Sequence, residues 1–101
     1  MTVFIAFDHV GNYINRCRSI CLDLQRKNPK DCYIPSALCF DHVHCDLFSP
    51  QEAFDIECDL LMLCDKMIVA SEISPLMRKQ IDFCKKVGIE VVDLAEAYRS
   101  L

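Results

Sequence analysis

"SEISPLMRKQIDF", Ser71 to Phe83, decides the fold. Directly before it lies "KMIVA", a β-branched, apolar run of strand length. Ser74 and Pro75 then carry the pattern of a helix start. A serine at the N-cap accepts a backbone N–H, and proline at the first helical position loses no hydrogen bond. The spacing predicts a helix from Pro75 to about Val87, closed by Gly88 just past its end. The stretch is therefore the carboxyl end of a strand turning into a helix, the junction at which α/β proteins hold ligands. Its first helical turns are bulky and basic, with Leu76, Arg78 and Lys79. Gln80 is the polar uncharged side chain that can point back toward the turn.

The same grammar repeats outward. "TVFIAF" predicts a buried strand over Val3 to Phe7. Asn12 is placed as the N-cap of a helix reaching about Lys27, with Ile14, Cys17, Cys21 and Leu24 at three- and four-residue steps. "NPKD" breaks the chain, and "CYIP" is a short second strand ending at Pro35. "SPQE" combines Ser49 as N-cap, Pro50 at the first position and Glu52 in a capping box, predicting a helix from Pro50 to about Cys64. "IEVVD" is a fourth strand, and Asp93 with Glu96 opens a terminal helix over Leu94 to Ser100. The order is β-α-β-α-β-α-β-α. It predicts an α/β fold: a flavodoxin-like, doubly wound parallel sheet of four to five strands in the order 2-1-3-4, in a single domain over residues 1–101.

Composition narrows the partners. The chain has 101 residues, 52% of them hydrophobic, which suits one packed core and not disorder. The net charge of −4 argues against a surface that tracks polymeric nucleic acid. A small anion held at a helix N-terminus remains compatible with it. No apolar run reaches the roughly 20 residues that span a bilayer, and "MTVFIAF" lacks a basic leader region. The expectation is a cytoplasmic protein without a membrane partner. The eight cysteines contain no CxxC pair, and most occupy core-type positions. They read as reduced thiols acting as small hydrophobes.

The strand-end rule sorts the polar residues. Asp8, His9, Gly11 and Asn12 follow the first strand. Asp41, His42 and His44 follow the second. Ser71, Glu72 and Ser74 follow the third, and Asp93 the fourth. Asp31 and Asp65 precede strands and fall at the opposite edge, where helix termination and solvation account for them. "DHVHCD" places His42 and His44 on one side of an extended segment, with Cys45 or Asp46 as further donors. The spacing matches no standard zinc pattern, so no metal or other cofactor is assigned. Asp8 suits a ribose hydroxyl, since a carboxylate accepts only. His9 can serve as a ligand contact or as a turn residue.

Taken together, "VFIAF", the following "GN" and long helix, "YIPSALCF", "DLLMLCDKMIVASEIS" and "MRKQIDFCKKVGIEVV" resemble the nucleoside 2-deoxyribosyltransferase-like superfamily, including its small phage- and plasmid-associated relatives. The resemblance runs through nearly the whole chain in the same order. It implies a nucleoside or nucleotide bound over the strand ends and a homo-oligomer that completes its sites across subunits. It also implies attack by a helix-borne glutamate on the anomeric carbon of the sugar. The pattern departs where the chemistry lies. In Leu76-Met77-Arg78-Lys79-Gln80, Gln80 stands at the nucleophile position and Leu76 at the family's glycine. An amide oxygen is a poor nucleophile and cannot balance a developing cation. Phe7-Asp8 replaces the usual small residue and proline of the first loop. Glu72, in the loop after the third strand, is either the substitute carboxylate or a solvated loop residue. Glu57 is expected on a solvated helix face. The implied function is nucleoside or nucleotide binding by Asp8, His9, Asn12, Ser71 and Ser74, with Glu72 and Gln80 at the catalytic position and cleavage lost or altered. The alternatives are a non-catalytic oligomeric binding or protein-interaction module, and a metal-binding regulator using His42 and His44.

Overall fold

A computed structural model describes residues 1–36 and 48–101. Among the described residues four strands, β1 (Thr2–Ala6), β2 (Cys32–Pro35), β3 (Lys66–Val69) and β4 (Glu90–Asp93), alternate with four helices. The helices are α1 (Tyr13–Lys27), α2 (Pro50–Leu61), α3 (Pro75–Val87) and α4 (Leu94–Arg99). All strand pairs are parallel, in the order β2-β1-β3-β4. This is the flavodoxin-like α/β arrangement that the alternating pattern predicts.

The period of two along β1 divides the core. Val3, Ile5 and Phe7 face α1 and α4, packing with Tyr13, Cys17, Cys21, Leu24, Ile68 and Ala97. Phe4 and Ala6 face α2 and α3, packing with Leu61, Met67, Met77, Ile81 and Cys84. Each sheet face is thus buried beneath helices, as a parallel sheet requires.

The helix starts follow their local chemistry with one exception. Ser49 Oγ accepts from the Glu52 amide at 3.2 Å and Glu52 Oε1 accepts from the Ser49 amide at 3.1 Å, completing the capping box. Ser74 Oγ accepts from the Met77 amide, and Asp93 Oδ1 from the Glu96 amide. Asn12 occupies the N-cap of α1, but its side chain makes no capping bond; its Oδ1 accepts from Asn15 Nδ2 instead. Gly88 adopts φ 84° after α3, a left-handed conformation that costs glycine little. Helix α2 ends at Leu61, one turn before the expected Cys64, whose amide bonds back to the Leu61 carbonyl in the following turn.

The amino edge of the sheet is stapled by aspartates. Asp65 Oδ2 accepts from the Thr2 amide, and Asp31 accepts from the Met1 amino group and Asn28 Nδ2. This agrees with the structural role expected for Asp31 and Asp65. No disulfide joins the six described cysteines to one another, and Cys17, Cys21, Cys64 and Cys84 are buried. Burial pushes the Cys84 and Cys58 thiols up to about 11, so neither is a thiolate near neutrality. A side-chain hydrogen bond to Cys17, helped by burial, raises the Cys21 thiol further. Among the described residues no helix is long and apolar enough to cross a membrane.

Candidate functional site

In the order β2-β1-β3-β4, the chain leaves β1 toward β2 and leaves β3 toward β4. The connections diverge between β1 and β3, opening a crevice at their carboxyl ends. A cavity of about 300 Å³ lies there, lined by Phe7, Asp8, Val10, Arg16, Ser71 and Glu72. The two walls are tied by one hydrogen bond, from the Asp8 amide to Ser71 Oγ at 2.7 Å. The Ser71 hydroxyl also lies 3.0 Å from the Glu72 carbonyl and 3.6 Å from Met77 Sδ. Ser71 therefore braces the site as well as lining it. Glu72 is exposed and Asp8 half-buried, so their carboxylates can reach a ligand without crossing the core.

Three of the seven candidate site residues, Asp8, Ser71 and Glu72, meet in this cavity. The other four are placed differently. His9 turns to the end of β2, where Nε2 lies 3.2 Å from Ser36 Oγ, and its ring stacks on Tyr13 at 4.2 Å. Ser36 is buried, with Cys17 Sγ 4.0 Å from its hydroxyl. Asn12 is exposed at the start of α1. Ser74 is engaged in capping α3. Gln80 is only 2% exposed and does not line the cavity. Its Nε2 donates to Glu57 Oε2 across the α2–α3 interface.

Glu57 requires a correction. It was expected on a solvated face, yet it is 0% exposed. The reason is its register on α2. Ala53, Glu57 and Leu61 recur every four residues, so Glu57 shares the buried stripe of the two apolar residues. The Gln80 amide donates to it from α3, which lowers the cost of burying a carboxylate. The i, i+4 spacing to Ala53 and Leu61 carried this signal in the sequence.

Arg16 also escaped the sequence reading. Helix α1 begins at Tyr13 beside the end of β1, so its first residues must border the crevice. The Arg16 guanidinium lies over the Phe7 ring, 5.1 Å from its centroid. Phe7 forms part of the cavity wall and supports this cation. Arg78 and Lys79 are exposed on α3 and do not line the cavity. Asp41, His42, His44, Cys45 and Asp46 lie outside the described residues, as do Cys39 and the loop end of "YIPSALCF". Among the described residues no group of three or more metal-ligating side chains converges.

Chemically, the cavity offers acceptors on Asp8 and Glu72, donors on Arg16, and an aromatic edge from Phe7. That set suits a small, hydroxyl-rich ligand. No protein-family model, curated protein or solved structure matches this chain.

Proposed function

We propose that this protein binds a nucleoside or nucleotide in the crevice between β1 and β3. The observation that carries the proposal is the cavity at the strand switch point with Asp8 and Glu72 in its wall. Carboxylates accept hydrogen bonds from sugar hydroxyls, and parallel sheets take ligands at this position. The resemblance to the nucleoside 2-deoxyribosyltransferase-like superfamily supports the ligand class. It does not extend to the family's transfer chemistry. Gln80 is an amide committed to Glu57 in the α2–α3 interface, and its burial argues against attack on a bound sugar. Glu72 is the carboxylate available for any remaining chemistry. The homo-oligomer belongs to the proposal too. Val10 at the cavity and Ile73 beside Glu72 leave 58% and 46% of their surface exposed, which a second copy could cover.

A thermal-shift screen against the common deoxynucleosides and their monophosphates tests binding. The expected result is a stabilised protein for at least one compound, lost in Asp8→Asn and Glu72→Gln. No shift across the set sinks the binding proposal and favours a protein-interaction module. Chromatography for free base in the same mixtures is expected to find none. Base release that disappears in Glu72→Gln would instead make Glu72 the working carboxylate. Light scattering checks the oligomer, and a monomer at all concentrations removes that part.

A further inference from the structure

We infer that the ligand is a sugar phosphate, with its phosphate on Arg16 and its hydroxyls on Asp8 and Glu72; this rests on the cavity being the nucleoside or nucleotide site proposed above. The first support is the division of hydrogen-bonding roles in the wall. The carboxylate oxygens of Asp8 and Glu72 serve as acceptors, while the Arg16 guanidinium can only donate. A neutral polyol satisfies the carboxylates and leaves the guanidinium without a strong partner. Free phosphate satisfies the guanidinium but meets two carboxylates of its own sign. A ligand with hydroxyls at one end and an anion at the other matches both.

The second support is the state of Arg16. Its guanidinium forms no ion pair with a described residue, although two carboxylates line the same cavity. It rests over the Phe7 ring, an arrangement that holds the plane without consuming its N–H donors. A planar, forked donor in a cavity wall is suited to two oxygens of a phosphate.

The surrounding helix favours the same sign of ligand. The first turn of α1 contains no acidic residue, and its N-cap side chain makes no capping bond. The positive end of the helix dipole therefore has no acidic side chain from its own first turn and carries a basic residue there, a combination that favours an anion. Size sets a further limit. About 300 Å³ lies at the lower end of ligand cavities, roughly 300–1,000 Å³, which leaves room for a sugar phosphate portion and not for a dinucleotide.

The test is calorimetric titration of the full chain with the common deoxynucleosides, their 5′-monophosphates, ribose 5-phosphate and inorganic phosphate. It is run on the native protein, Arg16→Gln and Arg16→Lys. Arg16 is exposed, so both variants are expected to keep the native fold, which circular dichroism verifies. The expected result is monophosphate binding at least about tenfold tighter than that of the matching nucleoside. Arg16→Gln should weaken monophosphate binding far more than nucleoside binding, removing that advantage, and Arg16→Lys should restore part of it. Equal affinity for nucleoside and monophosphate, or an equal loss of both in Arg16→Gln, overturns the phosphate inference while the nucleoside reading stands. Arg16-dependent binding of ribose 5-phosphate without binding of any base-containing compound upholds the inference and removes the nucleoside reading. Binding by no probe overturns both.

Discussion

Gln80 and Glu57 form a buried polar contact between α3 and α2. A buried carboxylate is costly unless a donor meets it, and the Gln80 amide is such a donor. Gln80→Leu retains the bulk and removes the donor. It should lower the free energy of unfolding by about 1–3 kcal/mol, measured by urea denaturation. Adding Glu57→Leu removes the acceptor as well and should recover part of that loss, since a donor–acceptor pair replaced on both sides leaves neither group of that pair unsatisfied. A double variant less stable than Gln80→Leu would mean that Glu57 contributes through other contacts. The family resemblance drew attention to Gln80 as the residue at its expected nucleophile position. What it could not show was the side chain facing it, because α2 and α3 meet only through tertiary packing. Glu57 was nevertheless legible through its spacing to Ala53 and Leu61; charge outweighed register in the reading, and register governed the fold.

At the scale of elements, the helix starts were the most legible features, because capping depends on neighbouring residues only. Ser49, Ser74 and Asp93 cap as their sequence patterns predict. Asn12 has the right residue type but makes no capping bond, since its side chain accepts from Asn15. Ser49→Ala should therefore cost about 1 kcal/mol, and Asn12→Ala clearly less, by the same denaturation measurement. Equal losses would contradict the observed caps. The link between α4 and α1 was not legible, because it joins residues 75 positions apart: the Tyr98 hydroxyl donates to Asp23 Oδ2. That bond to the carboxylate pushes the Tyr98 phenol up to about 12. The same bond, with help from Lys27, holds Asp23 below its ordinary value. The raised phenol stabilises the fold fully below its unfolded value, roughly pH 10, and loses that contribution as pH rises through about 12. The lowered carboxyl contributes above its ordinary value and loses it as pH falls below that range. Ultraviolet titration of the tyrosines should show a late phase near pH 12 that is absent in Tyr98→Phe. Persistence of that phase in the variant would assign it elsewhere.

Across the whole molecule, the parallel sheet followed from the alternation of strand and helix patterns, and its order from right-handed crossovers. The carboxyl edge as the ligand side followed from the same rule. Which strand-end residues share a cavity did not, since Asp8 and Ser71 are 63 residues apart and meet only once the sheet is assembled. The thiol pattern gives a molecule-wide test of burial. Under native conditions iodoacetamide should label exposed Cys32 well before Cys17, Cys21 and Cys84, which should react only after unfolding, as read by peptide mass spectrometry. Labelling of the buried three at the rate of Cys32 would mean an open core.

The β1–β3 pairing has a consequence for how the chain reaches its native state. β1 with β2, and β3 with β4, each join strands connected by a single helix, whereas β1 and β3 are joined across a much longer stretch of chain. Closing a long loop costs more entropy, and distant pairings slow folding. The two halves can gain their local contacts first, leaving the β1–β3 seam to be zipped between them. The crevice belongs to that seam, one wall from each half, so binding competence should arrive with the final step of folding. A ligand present during refolding would then lock the completed seam without hastening the formation of either half.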